Sequence, residues 1–150
     1  MTKLSLALNV NDSIRIKDFE IANQKFQVKV PLSHELDEMM KRIADAPPKV
    51  VKERLKKMTA ALTSEKIEGV EVVEDDVVVD GKSTKDTIVS IVQMENKITE
   101  YIKLLVPKEG SLENLTYQEI DEEFTLQTQL EIVEKITEVI QPGYKETRKN

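Results

Sequence analysis

Residues 13–30 read Ser13-Ile-Arg-Ile-Lys-Asp-Phe-Glu-Ile-Ala-Asn-Gln-Lys-Phe-Gln-Val-Lys-Val30, and the apolar pattern changes as soon as they end. Within them the apolar side chains alternate at Ile14 and Ile16, at Phe19 and Ile21, and at Phe26, Val28 and Val30, a period of two that turns one face of each strand toward a core. Ala22-Asn-Gln-Lys25 supplies an Asn-containing turn between the runs. The segment is therefore an antiparallel hairpin, with Leu4–Val10 a candidate third strand. Pro31 has no N–H to give to a ladder, and Ser33 offers an N-cap. From there Leu36, Met39, Met40 and Ile43 recur at helical spacing, and that spacing persists almost everywhere beyond. The switch decides the fold: mainly α, a small N-terminal antiparallel β hairpin followed by a body of four or five helices.

Toward the C-terminus, Pro47-Pro48 breaks the first helix, and Pro48 suits the first position of a second, 48–64. There Val51, Leu55, Met58 and Leu62 form a narrow apolar seam, with Lys49, Lys52 and Lys56 opposite. Residues 70–79 are two short β-branched runs across an acidic turn, which fits a minor hairpin, an exposed ribbon or a loop. A long helix from Thr84 passes Ile88, Ile91, Val92, Met94, Ile98, Tyr101, Ile102 and Leu105 before Pro107 and Gly110 stop it. After a polar linker, Thr116-Tyr-Gln-Glu119 is a capping box that opens helix 116–141, with Thr125 a candidate interruption and Pro142-Gly143 its end. Residues 1–141 are expected to form a single α-rich domain. Residues 142–150 hold Lys145, Arg148 and Lys149 against one acid and are expected to be a flexible basic tail.

Composition narrows the chemistry. At 150 residues the chain is long enough for a core without disulfides or structural metal, and it has no Cys, which removes thiolate catalysis and Cys-containing zinc sites. A net charge of −6 opposes a phosphate backbone or an anionic membrane, and aromatics at 4% leave no platform for stacking bases. Neither nucleic acid nor a membrane is expected as partner. The N-terminal Leu4-Ser-Leu-Ala-Leu8 is too short and polar for a signal peptide, so a cytosolic protein is expected.

The local motifs that suggest catalysis or ligand binding fail on their own requirements. Gly81-Lys82-Ser83 resembles the end of a phosphate-binding loop, but the position that loop requires as Gly is Asp76, and Asp75, Asp76 and Asp80 would repel a triphosphate. A hairpin exit and helix cap is the better account. Read as a calcium loop, Asp76–Thr87 has Val78 third, where an oxygen ligand is required, and Thr87 twelfth, where a bidentate Glu is required. Glu119, Asp121, Glu122 and Glu123 lack the Glu-x-x-His partners of helical di-metal sites and suit the positive end of a helix. The only histidine, His34, is expected at a surface or boundary. No enzyme, no cofactor and no metal site is expected.

Surfaces remain. Leu126, Leu130, Ile132, Val133, Ile136, Val139 and Ile140 spread over roughly half of the last helix, more than one core contact needs. Leu126, Leu130, Val133 and Ile140 are therefore candidate partner-binding residues. The acidic ridge Glu131, Glu134 and Glu138 and the basic ridge Lys49, Lys52 and Lys56 are candidates for weak, salt-sensitive homo-oligomer contacts.

Three stretches carry a family resemblance: Leu112-Glu-Asn-Leu-Thr-Tyr-Gln-Glu-Ile-Asp-Glu-Glu-Phe124, Gln129-Leu-Glu-Ile-Val-Glu-Lys-Ile136, and Pro142-Gly-Tyr-Lys-Glu-Thr-Arg-Lys-Asn150. With the hairpin-then-helices layout, the chain resembles the tail assembly chaperones of long, non-contractile-tailed bacteriophages. The 70–79 ribbon has no counterpart in that pattern. The resemblance implies a protein of the host cell cytoplasm, absent from the mature virion, that binds and solubilises the tape measure protein and helps recruit tail tube subunits. It also implies a longer form made by programmed frameshift, and Arg148-Lys149-Asn150 is encodable as the slippery AGA-AAA-AAT. The rival readings are a minor structural tail or connector protein, and a host-directed helical adaptor.

Overall fold

The computed structural model describes residues 3–63, 68–73 and 76–141, without the side chains of 61–63, and the 142–150 tail lies outside the described residues. The expected architecture is present: Ile16–Ile21 (β1) and Gln24–Lys29 (β2) pair antiparallel, and helices dominate the rest of the chain. The hairpin turn is Ala22-Asn23, both at positive φ (50° and 66°), the geometry whose twist matches that of the strands it joins. Phe19 pairs with Phe26 across the ladder, their rings stacked at 5.3 Å.

The third strand is not where the alternation at Leu4–Val10 places it. Lys3–Leu8 is a short helix (α1) with Leu4, Leu6 and Leu8 between 62% and 68% exposed; Leu and Ala are strong helix formers, and no partner strand fixes the alternation. The hairpin's neighbour is instead the chain leaving the long helix: Leu105 bridges Val28, Lys29 N–H donates to Leu104 O (2.9 Å), and Val106 N–H donates to Gln27 O (2.8 Å). That helix therefore stops at Ile102, five residues before Pro107.

Residues up to Met40 together with those from Ile98 onward form one compact unit, and Lys41–Lys97 form another. In the first, Asp12–Arg15 is a 3₁₀ turn, and helix α2 (Ser33–Ala44) begins at Ser33. Ser33 is thus the first helical residue rather than the cap. Glu35 ties the start down, accepting from Leu32 N–H (2.9 Å) and from the Arg15 guanidinium, whose Nε also donates to Val30 O (2.8 Å). Leu32 N–H and the Arg15 charge hold the Glu35 carboxyl below its ordinary range.

The expected helix 116–141 is two helices, α5 (Tyr117–Glu123) and α6 (Leu126–Ile140). Thr116 caps the first through Glu119 N–H, and Thr125 is the cap of the second, accepting from Thr128 N–H (3.2 Å). Gln129, fully buried, joins the two: it accepts from Tyr117 Oη (2.9 Å) and donates to Phe124 O (2.8 Å) and Asp121 Oδ1 (3.3 Å). On α6, Ile132, Val133 and Ile136 are buried beside it, and α6 lies against β1.

In the second unit, α3 (Pro48–Thr63) and the first part of α4 (Thr84–Ile102) pack with a three-stranded ribbon, β3 (Val70–Val73), β4 (Asp76–Val79) and β5 (Lys82–Ser83). Its core is Val51, Leu55, Val77, Ile88 and Val92. Asp80-Gly81, both at positive φ, make the tight β4–β5 turn. The apolar seam of α3 runs through Thr59 rather than Met58: Thr59 is 3% exposed with its hydroxyl on Leu55 O, and Met58 is 54% exposed. Arg54 and Glu95 close α3 on α4 with a two-bond pair (2.8 and 2.6 Å). Gln93 and Asn96 of α4 donate to the last carbonyls of α2, Ala44 O (3.0 Å) and Ile43 O (3.2 Å), which have no intrahelical donors.

Gln129→Ala is expected to destabilise the protein by about 2–4 kcal/mol in urea unfolding, since it opens a cavity at a fully buried position and removes the bonds that join α5 to α6. Met40→Ala on α2, 38% exposed, is expected to stay within about 0.5 kcal/mol of the parent.

Candidate functional site

Between α3 and the ribbon, the second unit opens a groove of about 550 Å³. It is lined by Val51 and Leu55 from α3 and Val72, Val73 and Val77 from the ribbon, with Pro48 and Thr59. Val72 and Val73 are 66% and 46% exposed. Neighbouring exposed valines beside an apolar helix face make a contiguous patch of the kind that marks an interaction surface. Lys52, Lys56 and Lys85 stand along its edge. Long lysine stems cover apolar surface while the ammonium stays in water, so the result is an apolar trough lined at its edge by three lysines and the Asp76 carboxylate. A larger hollow of about 1020 Å³ beside β1 and β2 is lined by Phe19, Phe26, Leu105, Val106, Pro107 and Leu112 together with Asp18, Glu20, Lys25 and Lys108.

The far wall of the groove is positioned by Asp76. Its carboxylate accepts from the Ser83 hydroxyl (2.5 Å), Lys85 N–H (2.9 Å) and Val77 N–H (2.7 Å), and Ser83 Oγ in turn accepts from Asp86 N–H (3.1 Å). One side chain thus fixes the start of β4, the end of β5 and the first turn of α4, where a negative charge also meets the positive end of the helix. The segment Gly81-Lys82-Ser83 is the hairpin exit and helix cap that its acidic surroundings favour. The hydrogen bond from Ser83, then those from Lys85 and Val77 and the Lys85 charge, outweigh desolvation and hold the Asp76 carboxyl below its ordinary value.

The candidate residues separate in space. Lys52 and Lys56 do not lie opposite the seam of α3, because only about 100° separates each from Val51 or Leu55 on a helix, and they rim the groove beside these residues. Lys49, a turn earlier, is exposed. On α6, Leu126 and Leu130 are 47% and 46% exposed, as a partner face requires, whereas Val133 is 7% exposed and belongs to the interior. Ile140 is half-buried. The wide apolar arc of α6 is thus split, one part packed inward and Leu126 and Leu130 left outside. Glu131, Glu134 and Glu138 share a shallow depression with Gln127, Leu130 and Lys135. Glu119, Glu122 and Glu123 are exposed on α5, and His34 is exposed on α2. Among the described residues no group of His, Cys, Asp or Glu is arranged to hold a metal ion, and no helix is long and apolar enough to cross a membrane.

Sequence reasoning misses Val72, Val73 and Lys85 as site residues. Their signal is the β-branched density of 70–79, which marks a strand but does not say which helix it faces.

A lowered carboxyl pKa stabilises the fold above the unfolded value of 3.8 and ceases to do so as pH falls through the folded value. Thermal unfolding followed from neutral pH downward is therefore expected to show a loss of stability below about pH 4 that is shallower in Asp76→Asn. Asp76→Ala is expected to cost about 1–2 kcal/mol at neutral pH, through loss of the cap.

Compared with protein-family models, curated proteins and solved structures, the chain matches none.

Proposed function

We propose that this protein is a binding protein for apolar helical segments, acting as a tail assembly chaperone of a long-tailed bacteriophage in the host cell cytoplasm. Its client is the tape measure protein, which it keeps soluble until tail tube subunits assemble around it; a frameshifted longer form brings those subunits, and neither form stays in the virion. The observation that supports this most is the groove on the second unit, an apolar trough open along its length with lysines at its edge.

A trough of this kind suits an amphipathic helix, whose residues at i, i+3, i+4 and i+7 enter the trough while its polar face stays in water. The valines of the ribbon and Val51 and Leu55 supply non-directional apolar contact, which accepts many different anchor side chains. Lys52, Lys56 and Lys85 favour clients with carboxylates beside the anchors and set their orientation more than their affinity. The exposed pair Leu126 and Leu130 adds a second apolar face on the other unit. No step of this activity needs a cofactor or a reacting side chain.

Val72→Glu places a charge in the trough at a side chain that is already 66% exposed, so the fold is expected to survive. Desolvating that carboxylate against a client is expected to weaken binding about tenfold or more. Co-expression with the tape measure protein should then leave most of the client insoluble, while far-UV circular dichroism of the variant matches the parent. A variant that solubilises the client as the parent does would contradict the groove as client site.

A further inference from the structure

We propose that the outer edge of β1 pairs with an extended segment of another protein that alternates lysine or arginine with a β-branched or aromatic residue. The edge is read from the hydrogen-bond phase of the hairpin. Lys29 N–H donates to Leu104 O, and Gln27 O accepts from Val106 N–H, so Gln27 and Lys29 turn their backbone groups away from β1. In an antiparallel ladder, the residue opposite an outward-turned one is itself turned outward. Gln27 stands opposite Asp18 and, in the same phase, Lys25 stands opposite Glu20. Lys17, Phe19 and Ile21 therefore bond to β2, whereas the N–H and C=O groups of Asp18 and Glu20 point away from the hairpin. Ile16 N–H is taken by Ser13 O. Among the described residues, nothing on the far side of β1 bonds to the four backbone groups of Asp18 and Glu20.

The side chains define what this edge accepts. Asp18 and Glu20 share one face and are exposed, and among the described residues neither carboxylate has a hydrogen bond or an ion pair. Between them, on the other face, Phe19 is stacked on Phe26. All three residues line the hollow beside the hairpin, so the stretch is open to a partner. A strand added at β1 sets three consecutive residues against Asp18, Phe19 and Glu20. Directly opposed charges stabilise a sheet when unlike and destabilise it when alike, and an aromatic side chain favours an aromatic or β-branched neighbour. The complement is thus a cation, an aromatic or β-branched residue and a second cation, with main-chain hydrogen bonds supplying the rest of the contact. A second copy is a poor occupant, because antiparallel pairing of β1 with itself about Phe19 sets Asp18 of one copy against Glu20 of the other. The acids therefore guard the edge against its own kind and against neutral apolar strands, and they leave it open to a cationic one. No residue of the groove takes part.

A capped nine-residue peptide alternating lysine with valine is the probe, and amide exchange followed by NMR on isotope-labelled protein reads the phase. In the free protein the Asp18 and Glu20 amides are expected to exchange fast, and those of Lys17, Phe19 and Ile21 slowly. Saturating peptide is expected to slow Asp18 and Glu20 by about tenfold or more, with shift changes centred on β1. Methylating the lysine backbone nitrogens of the peptide keeps its charges and removes its donors, and is expected to weaken binding about tenfold or more. Asp18→Lys/Glu20→Lys is expected to reject the lysine peptide and bind one alternating glutamate with valine; both side chains are exposed, and circular dichroism checks the fold. If that variant fails to fold, Asp18→Asn/Glu20→Gln carries the test, with loss of preference between the two peptides. Equal binding of the methylated peptide reduces the contact to charge attraction and overturns the proposal. So does absence of binding at millimolar peptide, or binding that shifts other residues and leaves β1 unchanged. Protection of Asp18 and Glu20 in the free protein also overturns it, whether a second copy or another part of the chain covers the edge. Because neither the groove nor its client is involved, failure of the client reading leaves these outcomes unchanged.

Discussion

The Asp76 carboxylate is the constraint on which the second unit depends. A short three-stranded ribbon has too little buried surface to be stable by itself and must be anchored to a neighbour. Asp76 provides that anchor by accepting from β4, β5 and the first turn of α4 at once. With the ribbon held at the helix start, Val77 reaches the core shared with Val51, Leu55, Ile88 and Val92. Val72 and Val73, nearer the ribbon's free edge, are left facing water beside α3. The groove is thus a consequence of how the ribbon is tied: β4 is packed through Val77, while Val72 and Val73, opposite Val77 and Asp76 on the edge strand β3, remain exposed.

The same economy holds elsewhere. With few aromatics, the interior relies on branched aliphatic side chains, and the few polar groups that enter it are fully employed. Gln129 satisfies three partners and so joins α5 to α6 across the break at Thr125. Arg54 and Glu95 are a two-bond pair rather than a single contact, which resists rotation of α3 on α4. Exposed charges elsewhere contribute little to stability individually.

Much of the fold is legible in the sequence because its signals are local. The alternation through Ile16–Val28, the Ala22-Asn23 turn, Pro48 at a helix start and the caps at Thr116 and Thr125 each involve residues within one turn or strand of each other. The features that escape depend on distant partners. Leu4, Leu6 and Leu8 alternate like a strand, but the edge of the hairpin is taken by Leu104–Val106, which arrives from the far end of α4. Thr59 displaces Met58 from the seam because its hydroxyl is satisfied by its own helix, a compensation that hydrophobicity alone does not register. Val133 and Leu130 look alike on a helical projection, and only the elements packed against α6 separate the buried one from the exposed one. The groove is half visible in the sequence: its lysines stand out as a ridge, but its valines read only as a ribbon with no known neighbour.

The activity proposed for the trough between α3 and the ribbon is the binding of apolar helices. It is tested most directly by methyl NMR on protein labelled at valine and leucine, titrated with helical fragments of the tape measure protein. Saturable shifts concentrated at Val51, Leu55, Val72, Val73 and Val77 are the predicted result. Shifts confined to other methyls, or no shift with a fragment that the full-length protein keeps in solution, would contradict it.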